Sequence, residues 1–322
     1  MEFNFQVPGK TFLLGEYAVL AGGKALVFCH QPYFHFKLSD ENLKNQLQDN
    51  ASASNLHPSK LDSLSKFFHP ESPAGCFLTS SQLVFPDLYL SCEQQYGQGG
   101  FGLSTAEFLV AQQIVNLRLE NQIESDSALI PNVQDHCRGE PFQLLKNYWQ
   151  TFDRLQKKRP SGADLLAQSM GGFCFVDPKE NVLRQMSWKF EDLSIFVLPT
   201  GNKLKTHEHL DQLKASDFSD LVTLSQDLEA VFLKNDARQM IRLVAEYGKV
   251  LNQQGLLDQS TKKMMEMVTQ MPGVLALKGC GAMGADSILV LVDSKFKIAF
   301  KEELNKRNLR FFDEAGLGGY LQ

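Results

Sequence analysis

The sequence lacks any long apolar run, and no stretch approaches the roughly 18 residues of a membrane-spanning helix. The first residues, 1–5, show no basic region followed by an apolar segment, so we expect no signal peptide. The six cysteines form no C-x-x-C pair and no Cys/His cluster with zinc spacing. Free thiols in a reducing compartment are therefore expected, and the predicted location is cytoplasmic.

An excess of positive charge is also missing. The net charge is −5, and no basic stripe with interleaved aromatic residues occurs. We therefore expect neither nucleic acid nor a membrane surface as a partner. The length of 322 residues suggests two domains or one two-lobed unit. The lobe boundary is predicted near residues 178–192, which gives an N-terminal domain of residues 1–180 and a C-terminal domain of residues 190–322.

The phosphate-binding pattern G-x-x-x-x-G-K-[ST] does not occur, which argues against a P-loop protein. Four glycines nevertheless fall within residues 97–102, directly before a helix predicted over residues 104–121. Ser104 and Glu107 predict a capping box that starts this helix. Helix N-termini carry free amides and a partial positive charge, so they bind phosphate. A turn with an ordinary cap is the alternative interpretation.

Periodicity predicts an α+β fold. A Pro-Gly loop is expected at residues 8–9, and short helices and loops over residues 39–75. Half-buried or buried strands are expected at 32–38, 173–176, 195–198 and 287–292. Helices are expected at 141–158, in a short stretch after Asp164 up to Met170, and at 218–234, 236–253 and 258–271. This order favours α+β layers over a doubly wound sheet.

Three polar side chains could take part in chemistry on phosphate. Lys10 follows Pro8-Gly9 early in the chain, and Asp153 and Asp164 lie before and after a Pro-Ser-Gly turn. A cation neutralises a phosphoryl group, while carboxylates bind magnesium or accept a proton. The ordinary alternatives are a solvated lysine, a solvated helix face for Asp153 and a helix cap for Asp164.

Four segments together resemble the motifs of the GHMP kinases, which include galactokinase, homoserine kinase, mevalonate kinase and phosphomevalonate kinase. Residues 8–19 resemble their P-G-K-x-x-x-x-G-E-[HY]-A-V opening motif. Residues 100–106 resemble G-L-G-S-S-A, with Leu103 in place of one serine. The stretch 153–164 resembles E-R-x-x-x-x-x-P-S-G-x-D, and residues 281–287 resemble G-A-G-G-G-D-C.

This resemblance implies a two-lobed GHMP kinase fold with the active site in the cleft between the lobes, and it implies ATP and Mg²⁺ as cofactors. It gives catalytic roles to Lys10 and Asp164, and magnesium ligation to Ser104 and Asp153. ATP binding is carried to Gly99, Gly100, Gly102, Ser104 and Thr105. Acceptor binding is carried to Glu16, Tyr17, Ser161, Lys203, Lys205, Thr206, Gly281 and Ala282.

The implied acceptor is a small anionic molecule, an isoprenoid precursor. Tyr17 and Asp286 favour phosphomevalonate, whereas the Pro-Ser-Gly-Ala-Asp segment favours mevalonate. The related decarboxylases are disfavoured because their tryptophan-containing opening motif is absent. Replacements in the phosphate loops (Leu103, Met283, Ala285) leave open a second class, a GHMP-fold protein that binds a metabolite without turnover. A homodimer is compatible with the sequence.

Overall fold

The computed structural model describes residues 2–40, 62–83, 88–94, 101–119, 141–201, 218–281 and 284–313. The chain forms two compact units, and each unit is assembled from stretches that are separated in sequence. The first unit comprises Met1–Pro8, Pro32–Gly97 and Gly102–Met170. The second unit comprises Gly9–Gln31, Gln98–Phe101 and Gly171–Gln322.

The strands are β1 Glu2–Leu14, β2 Ala25–Asp40, β3 Asp62–Ser63, β4 Leu88–Gln94, β5 Phe173–Asp177, β6 Val182–Met186, β7 Leu193–Pro199, β8 Val274–Cys280, β9 Ser287–Asp293 and β10 Phe312–Asp313. The helices are α1 Leu64–Phe67, α2 Pro73–Ser80, α3 Leu103–Leu119, α4 Pro141–Arg154, α5 Ala163–Met170, α6 Ser219–Ser225, α7 Leu228–Leu233, α8 Ala237–Gln253, α9 Gln259–Thr269 and α10 Lys297–Lys306. The strands predicted at 32–38, 173–176, 195–198 and 287–292 are confirmed within β2, β5, β7 and β9. Across the described ranges, none of the helices combines the length and the apolar character needed to span a bilayer.

The first unit packs the helices α2, α4 and α5 with α3. Residues 34–40 of β2 pair antiparallel with β4, and β4 also pairs with β3. Helix α3 is apolar on most of its circumference, so it is buried against α2 and α5. Helix α4 also contacts α2 and α5. The rings of Phe77, Phe108, Tyr148 and Phe152 form a chain of edge-on contacts with centroids 4.8–5.3 Å apart. These aromatic contacts fix the helices that carry several predicted site residues.

The second unit contains two groups of antiparallel strands. Residues 25–28 of β2 pair with β5, and β5 pairs with β6. A separate four-stranded sheet has the order β10-β7-β9-β8. Its central strand β9 is an unbroken apolar run that is buried along almost its whole length, and α8 and α9 contact β8. The antiparallel pairing confirms the predicted α+β class.

One expectation about the chain path needs correction. The predicted loop at Pro8-Gly9 is wrong, because both residues lie inside β1. Strand β1 pairs with β2 off the main path of its sheet, a position in which the missing N–H of a proline is tolerated. The lobe boundary predicted at residues 178–192 stays a prediction, and the interval contains β6. The residues of β6 are half-buried or exposed, so the sequence shows no clear apolar alternation that would predict this strand.

Candidate functional site

Helix α3, the predicted phosphate helix, begins one residue earlier than expected. The carbonyl oxygen of Gly102 accepts the first helical hydrogen bond, from the amide of Ala106 at 2.9 Å. Ser104 therefore lies inside the first turn, and the predicted capping box with Glu107 is wrong. The Ser104 side chain is exposed, and the amides of this first turn have no partner within the helix. An exposed hydroxyl and free amides at a helix start fit a phosphate group.

A buried glutamine connects three predicted site segments of the first unit. Gln168 on α5 is fully buried, and its Nε2 donates to the carbonyl oxygen of Pro8 at 2.7 Å. Its Oε1 accepts a hydrogen bond from the hydroxyl of Thr105, which also lies 2.9 Å from the Gly102 carbonyl oxygen. The start of the opening motif, the phosphate helix and the helix of Asp164 are thus tied together. The hydroxyl of Thr105 faces inward, so only its backbone amide is available to a ligand.

Asp164 lies in the first turn of α5. The helix starts where the Gly162 carbonyl oxygen accepts from the amide of Leu166 at 3.0 Å. One Asp164 carboxylate oxygen accepts from the Leu165 amide at 3.0 Å, and the side chain is half-buried. Burial raises the pKa of Tyr148 well above its ordinary value, and the charge of Asp164 adds to this rise. The carboxylate therefore faces α4 as well as its own helix.

Ser161 precedes this helix and supports its start. Its hydroxyl oxygen lies 3.4 Å from the amide of Ala163 and accepts a weak hydrogen bond. The side chain is half-buried. Its predicted role in acceptor binding stays a prediction.

Asp153, the second predicted magnesium ligand, is held in an ion pair on the surface. Arg159 donates to both of its carboxylate oxygens, at 2.7 Å and 2.5 Å, and both side chains are about half exposed. These hydrogen bonds lower the pKa of Asp153. A magnesium ion would have to replace Arg159, so metal ligation by Asp153 stays a prediction. The part of the chain described here contains no group of three or more His, Cys, Asp and Glu side chains that could hold a metal.

In the second unit, the opening motif is bonded to the glycine segment. The amide of Lys10 donates to the carbonyl oxygen of Phe101 at 2.9 Å. The Lys10 ammonium lies 5.2 Å from the centre of the Phe12 ring, and its charge affects the pKa of Glu16 and of His30. Lys10 is half-buried, which suits a cation that acts on a bound anion.

A neutral histidine supports this strand, and the sequence patterns do not reveal it. His30 is buried, and its Nε2 is 2.8 Å from the Thr11 hydroxyl. Its Nδ1 is hydrogen-bonded to the carbonyl oxygen of Gln31, and the rings of Phe101 and Phe312 lie within 5.8 Å of its centroid. Burial lowers the pKa of His30 to about 4, so the imidazole is neutral near pH 7.

Glu16 is buried and paired with a lysine that the sequence analysis did not select. The Lys278 ammonium donates to one carboxylate oxygen of Glu16, and it lies 3.2 Å from the Cys280 sulfur. The Tyr247 hydroxyl donates to the backbone carbonyl oxygen of Glu16 at 2.6 Å. Burial raises the pKa of Glu16 above its ordinary value, while the charge of Lys278 opposes that rise. Glu16 is therefore held by both its side chain and its backbone.

The turn after β8 and the turn after β1 both use unusual backbone conformations. Gly281 has φ +88°, and a Cβ on it would lie 2.0 Å from a carboxylate oxygen of Asp286, so only glycine fits. Tyr17 has φ +63°, a conformation rare for a residue with a side chain. Its ring is buried, with its centroid 5.4 Å from that of Phe218. Acceptor binding by Gly281 and Tyr17 stays a prediction.

Six of the predicted site residues lie outside the described residues. They are Gly99, Gly100, Lys203, Lys205, Thr206 and Ala282. Their assignment to ATP or acceptor binding stays a prediction.

No protein-family model matches the chain. A search of curated proteins found no match either. Among solved structures, the mevalonate kinase of Methanococcus jannaschii is 14% identical, with a TM-score of 0.64 over 97% of this chain and 98% of that one.

Two further solved structures of the same kinase class are similar over nearly their whole length. Lactococcus lactis galactokinase complexed with galactose is 12% identical, with a TM-score of 0.65, covering 98% of this chain and 94% of that one. Streptococcus pneumoniae phosphomevalonate kinase in complex with phosphomevalonate and AMPPNP is 14% identical, with a TM-score of 0.64, covering 95% of this chain and 97% of that one. The chain therefore has the GHMP kinase fold, as predicted.

Proposed function

We propose that the chain is an ATP-dependent small-molecule kinase of the GHMP type. It transfers the γ-phosphoryl group of ATP to an isoprenoid precursor, phosphomevalonate in preference to mevalonate. The observation that carries this proposal is the buried Gln168 side chain, which joins Pro8 of the opening motif, Thr105 of the phosphate helix and the helix of Asp164. A kinase needs these segments fixed together, because positioning supplies much of the catalysis of phosphoryl transfer.

ATP is proposed to bind through its phosphates at the start of α3. The free amides of the first turn and the exposed hydroxyl of Ser104 support this placement. A neighbour in fold was solved with AMPPNP, an analogue of ATP. Magnesium, when bound, neutralises phosphate charge. Ser104 would hold it directly, whereas Asp153 would do so only after releasing Arg159.

Lys10 and Asp164 are the proposed catalytic pair. Lys10 neutralises the transferred phosphoryl group and orients Asp164. Asp164 accepts the proton of a hydroxyl acceptor. An acceptor that presents a phosphate is already ionised and needs no base. The effect of removing the Asp164 carboxylate therefore depends on the acceptor.

The acceptor is proposed to be bound by residues of both sequence halves. Glu16, Tyr17 and Ser161 contribute from described segments. The remaining residues are Lys203, Lys205, Thr206, Gly281 and Ala282. Lysines suit the phosphate and carboxylate groups of phosphomevalonate. The similarity in fold to a kinase solved with phosphomevalonate supports this class of acceptor.

Two further proposals concern the domain division and the location of the protein. The domain division at residues 1–180 and 190–322 and the cytoplasmic location are kept as proposals. The expected partners are small molecules rather than nucleic acid or membrane.

The test is to incubate the protein with Mg-ATP and, separately, mevalonate, phosphomevalonate, homoserine and galactose, and to measure ADP. We expect ADP release with phosphomevalonate and little with the sugar. A Lys10→Met variant is the control, because it removes the cation and leaves a side chain of similar length. Release with homoserine or galactose alone would reject the isoprenoid acceptor, and equal activity of the Lys10→Met variant would reject the assigned role.

A protein of this fold that binds a metabolite without turnover is the second candidate. Leu103, Met283 and Ala285 replace motif residues in the phosphate loops, which favours it. No ADP release with any acceptor, together with ligand binding measured by calorimetry, would support this candidate over a kinase.

A further inference from the structure

Lys278 is a charged side chain with no exposure to solvent. It lies in β8, and its side-chain exposure is 0%. The ammonium contacts Glu16, the Cys280 sulfur at 3.2 Å and the Gly279 carbonyl oxygen at 3.4 Å. The Tyr247 ring centre is 5.8 Å away. Burying a lysine is costly unless its charge is paired. The burial of Lys278 therefore calls for an explanation.

The partner of Lys278 is a carboxylate with one oxygen left over. Glu16 Oε1 accepts from Lys278, whereas no described residue is hydrogen-bonded to Oε2, which is also buried. The backbone carbonyl oxygen of Glu16 is fixed by the Tyr247 hydroxyl. The titratable groups that face Glu16 are Lys278 and Cys280 on β8, Tyr247 on α8 and Lys10 on β1. A buried acceptor atom without a partner is costly, and a bound ligand that donates to it would recover that cost.

We propose that Lys278 is a positioning residue for the kinase site: it holds one oxygen of Glu16 so that the other accepts a hydrogen bond from the phosphoryl acceptor. This inference rests on the proposed function. Lys278 itself touches no ligand and acts only through Glu16. The pair also joins the turn that follows β1 to strand β8, which ends just before Gly281. Cys280, beside Lys278, immediately precedes Gly281, and its sulfur lies 3.6 Å from the Phe12 carbonyl oxygen.

The chemistry of the pair explains why a lysine is needed. Burial raises the pKa of Glu16, and Lys278 is the largest influence that opposes the rise. Without the ammonium, burial would raise the pKa of Glu16 further, so the carboxyl would bind a proton at a higher pH than in the wild type. A protonated carboxyl would no longer offer a charged acceptor with a fixed orientation. Hydrogen bonds to charged groups are the stronger ones, so the bound acceptor would lose affinity.

The experiment compares four proteins in the ADP assay with phosphomevalonate: wild type, Lys278→Met, Glu16→Gln and the double variant. We expect Lys278→Met to raise the KM for the acceptor about 10-fold or more near pH 7, with the KM for ATP unchanged. The ratio to wild type should shrink as the pH rises, because Glu16 regains its negative charge. Glu16→Gln and the double variant should agree in acceptor KM and show no such recovery, because Lys278 has nothing to act through.

Lys301→Met is the matched control. It removes a different, partly buried lysine of the same unit from its ion pair with Asp313. We expect its acceptor KM to equal that of the wild type at every pH. A KM for Lys278→Met that is unchanged, or that is raised equally at all pH values, would overturn the inference.

The single variant could lose its fold, because it leaves Glu16 buried without a partner. In that case the comparison of Glu16→Gln with the double variant decides, since a further change in acceptor KM in the double variant would overturn the inference. The wild-type assay tests the proposed function separately. If the wild type phosphorylates no acceptor, the kinase assignment fails and the inference fails with it, whereas an active wild type with wrong variant behaviour rejects the inference alone.

Discussion

At the scale of single residues, three buried polar side chains organise this protein: His30, Gln168 and Lys278. Each has a partner that lies far away in the sequence, namely Thr11 for His30, Pro8 for Gln168 and Glu16 for Lys278. His30 differs from the others because its charge can change in an accessible pH range. It is enclosed by aromatic rings and is held neutral by burial.

The stability of the protein should depend on pH through His30. Its pKa is lowered from 6.5 to about 4 in the folded chain, so the unfolded chain binds more protons between those values. Folding stability is therefore intact above pH 6.5 and falls as the pH falls towards 4. We expect His30 to account for a loss of about 2 kcal/mol of unfolding free energy between about pH 7 and about pH 4.5. Urea unfolding at both values measures it.

His30→Gln is the comparison for that measurement. Glutamine keeps a polar group near Thr11 but does not titrate. The fall in stability between the two pH values should be smaller in this variant by about 2 kcal/mol. Equal falls in both proteins would contradict the neutral buried state of His30.

Replacing the proposed base should distinguish the two acceptors. Asp164→Asn keeps the shape of the side chain but removes its proton-accepting ability. We expect kcat with mevalonate to fall about 10²–10⁴-fold, because a hydroxyl must be deprotonated. The loss with phosphomevalonate should be clearly smaller. Steady-state kinetics with both acceptors measure this, with the exposed Asp220→Asn as a control expected to match the wild type.

At the scale of elements, helix α5 holds the first unit together through one amide side chain. Gln168 connects α5 to the start of α3 and to β1. The sequence predicts both helices, α3 because its apolar residues recur at helical spacing and α5 as a short stretch after the Pro-Ser-Gly turn. The contact itself joins residues 160 positions apart, which no local pattern reveals. The same holds for Lys278 and Glu16, which are 262 positions apart.

Removing this amide should weaken the first unit. Gln168→Met has a similar volume but takes the amide donor away from the Pro8 carbonyl oxygen, whereas the Thr105 hydroxyl keeps the Gly102 carbonyl oxygen as an acceptor. We expect unfolding free energy to fall by about 1–3 kcal/mol for each buried group left unpaired. Chemical denaturation measures this. Gln143→Met, on the exposed face of α4, should change stability by no more than about 0.5 kcal/mol.

Other elements could not be predicted for identifiable reasons. Pro8 and Gly9 ordinarily mark a turn, yet the pairing of β1 allows them inside a strand. The predicted start of α3 differs from the observed one by one residue because Ser104 and Glu107 satisfy the spacing of a capping box. In the structure the exposed Ser104 hydroxyl is left for other partners. Sequence spacing identified the helix, but only the backbone hydrogen bonds fix where it begins.

At the scale of the whole molecule, the fold is predicted better than the site. The four motif segments led to a GHMP kinase fold, and full-length structural similarity at 12–15% identity confirms that fold. The roles of individual residues did not follow as securely. Asp153 is the example, because its predicted metal-binding carboxylate is engaged by Arg159 only six residues further on.

The cysteines of the second unit should be unreactive while the protein is folded. Burial raises the pKa of Cys174 to about 12 and of Cys280 to about 11, and that of Cys29 well above its ordinary value. The thiolate is the reactive form, so alkylation needs both access and a low pKa. We expect iodoacetamide to leave these three unmodified in the native protein and to modify them in urea. Peptide mass spectrometry reads each site, with the half-buried Cys76 as an internal comparison.

Two long-range contacts in the second unit have a consequence for biosynthesis. They are the hydrogen bond from the Lys10 amide to the Phe101 carbonyl oxygen and the ion pair between Glu16 and Lys278. Residues 9–31 emerge from the ribosome early, yet the second unit completes them with residues 171–322. Long-range pairing of this kind is slow to form. A nascent chain that stops near residue 170 therefore carries an unmatched Glu16 and exposed apolar strands. We infer that shielding by a chaperone would matter most during the synthesis of residues 171–322, nearly half of the polypeptide.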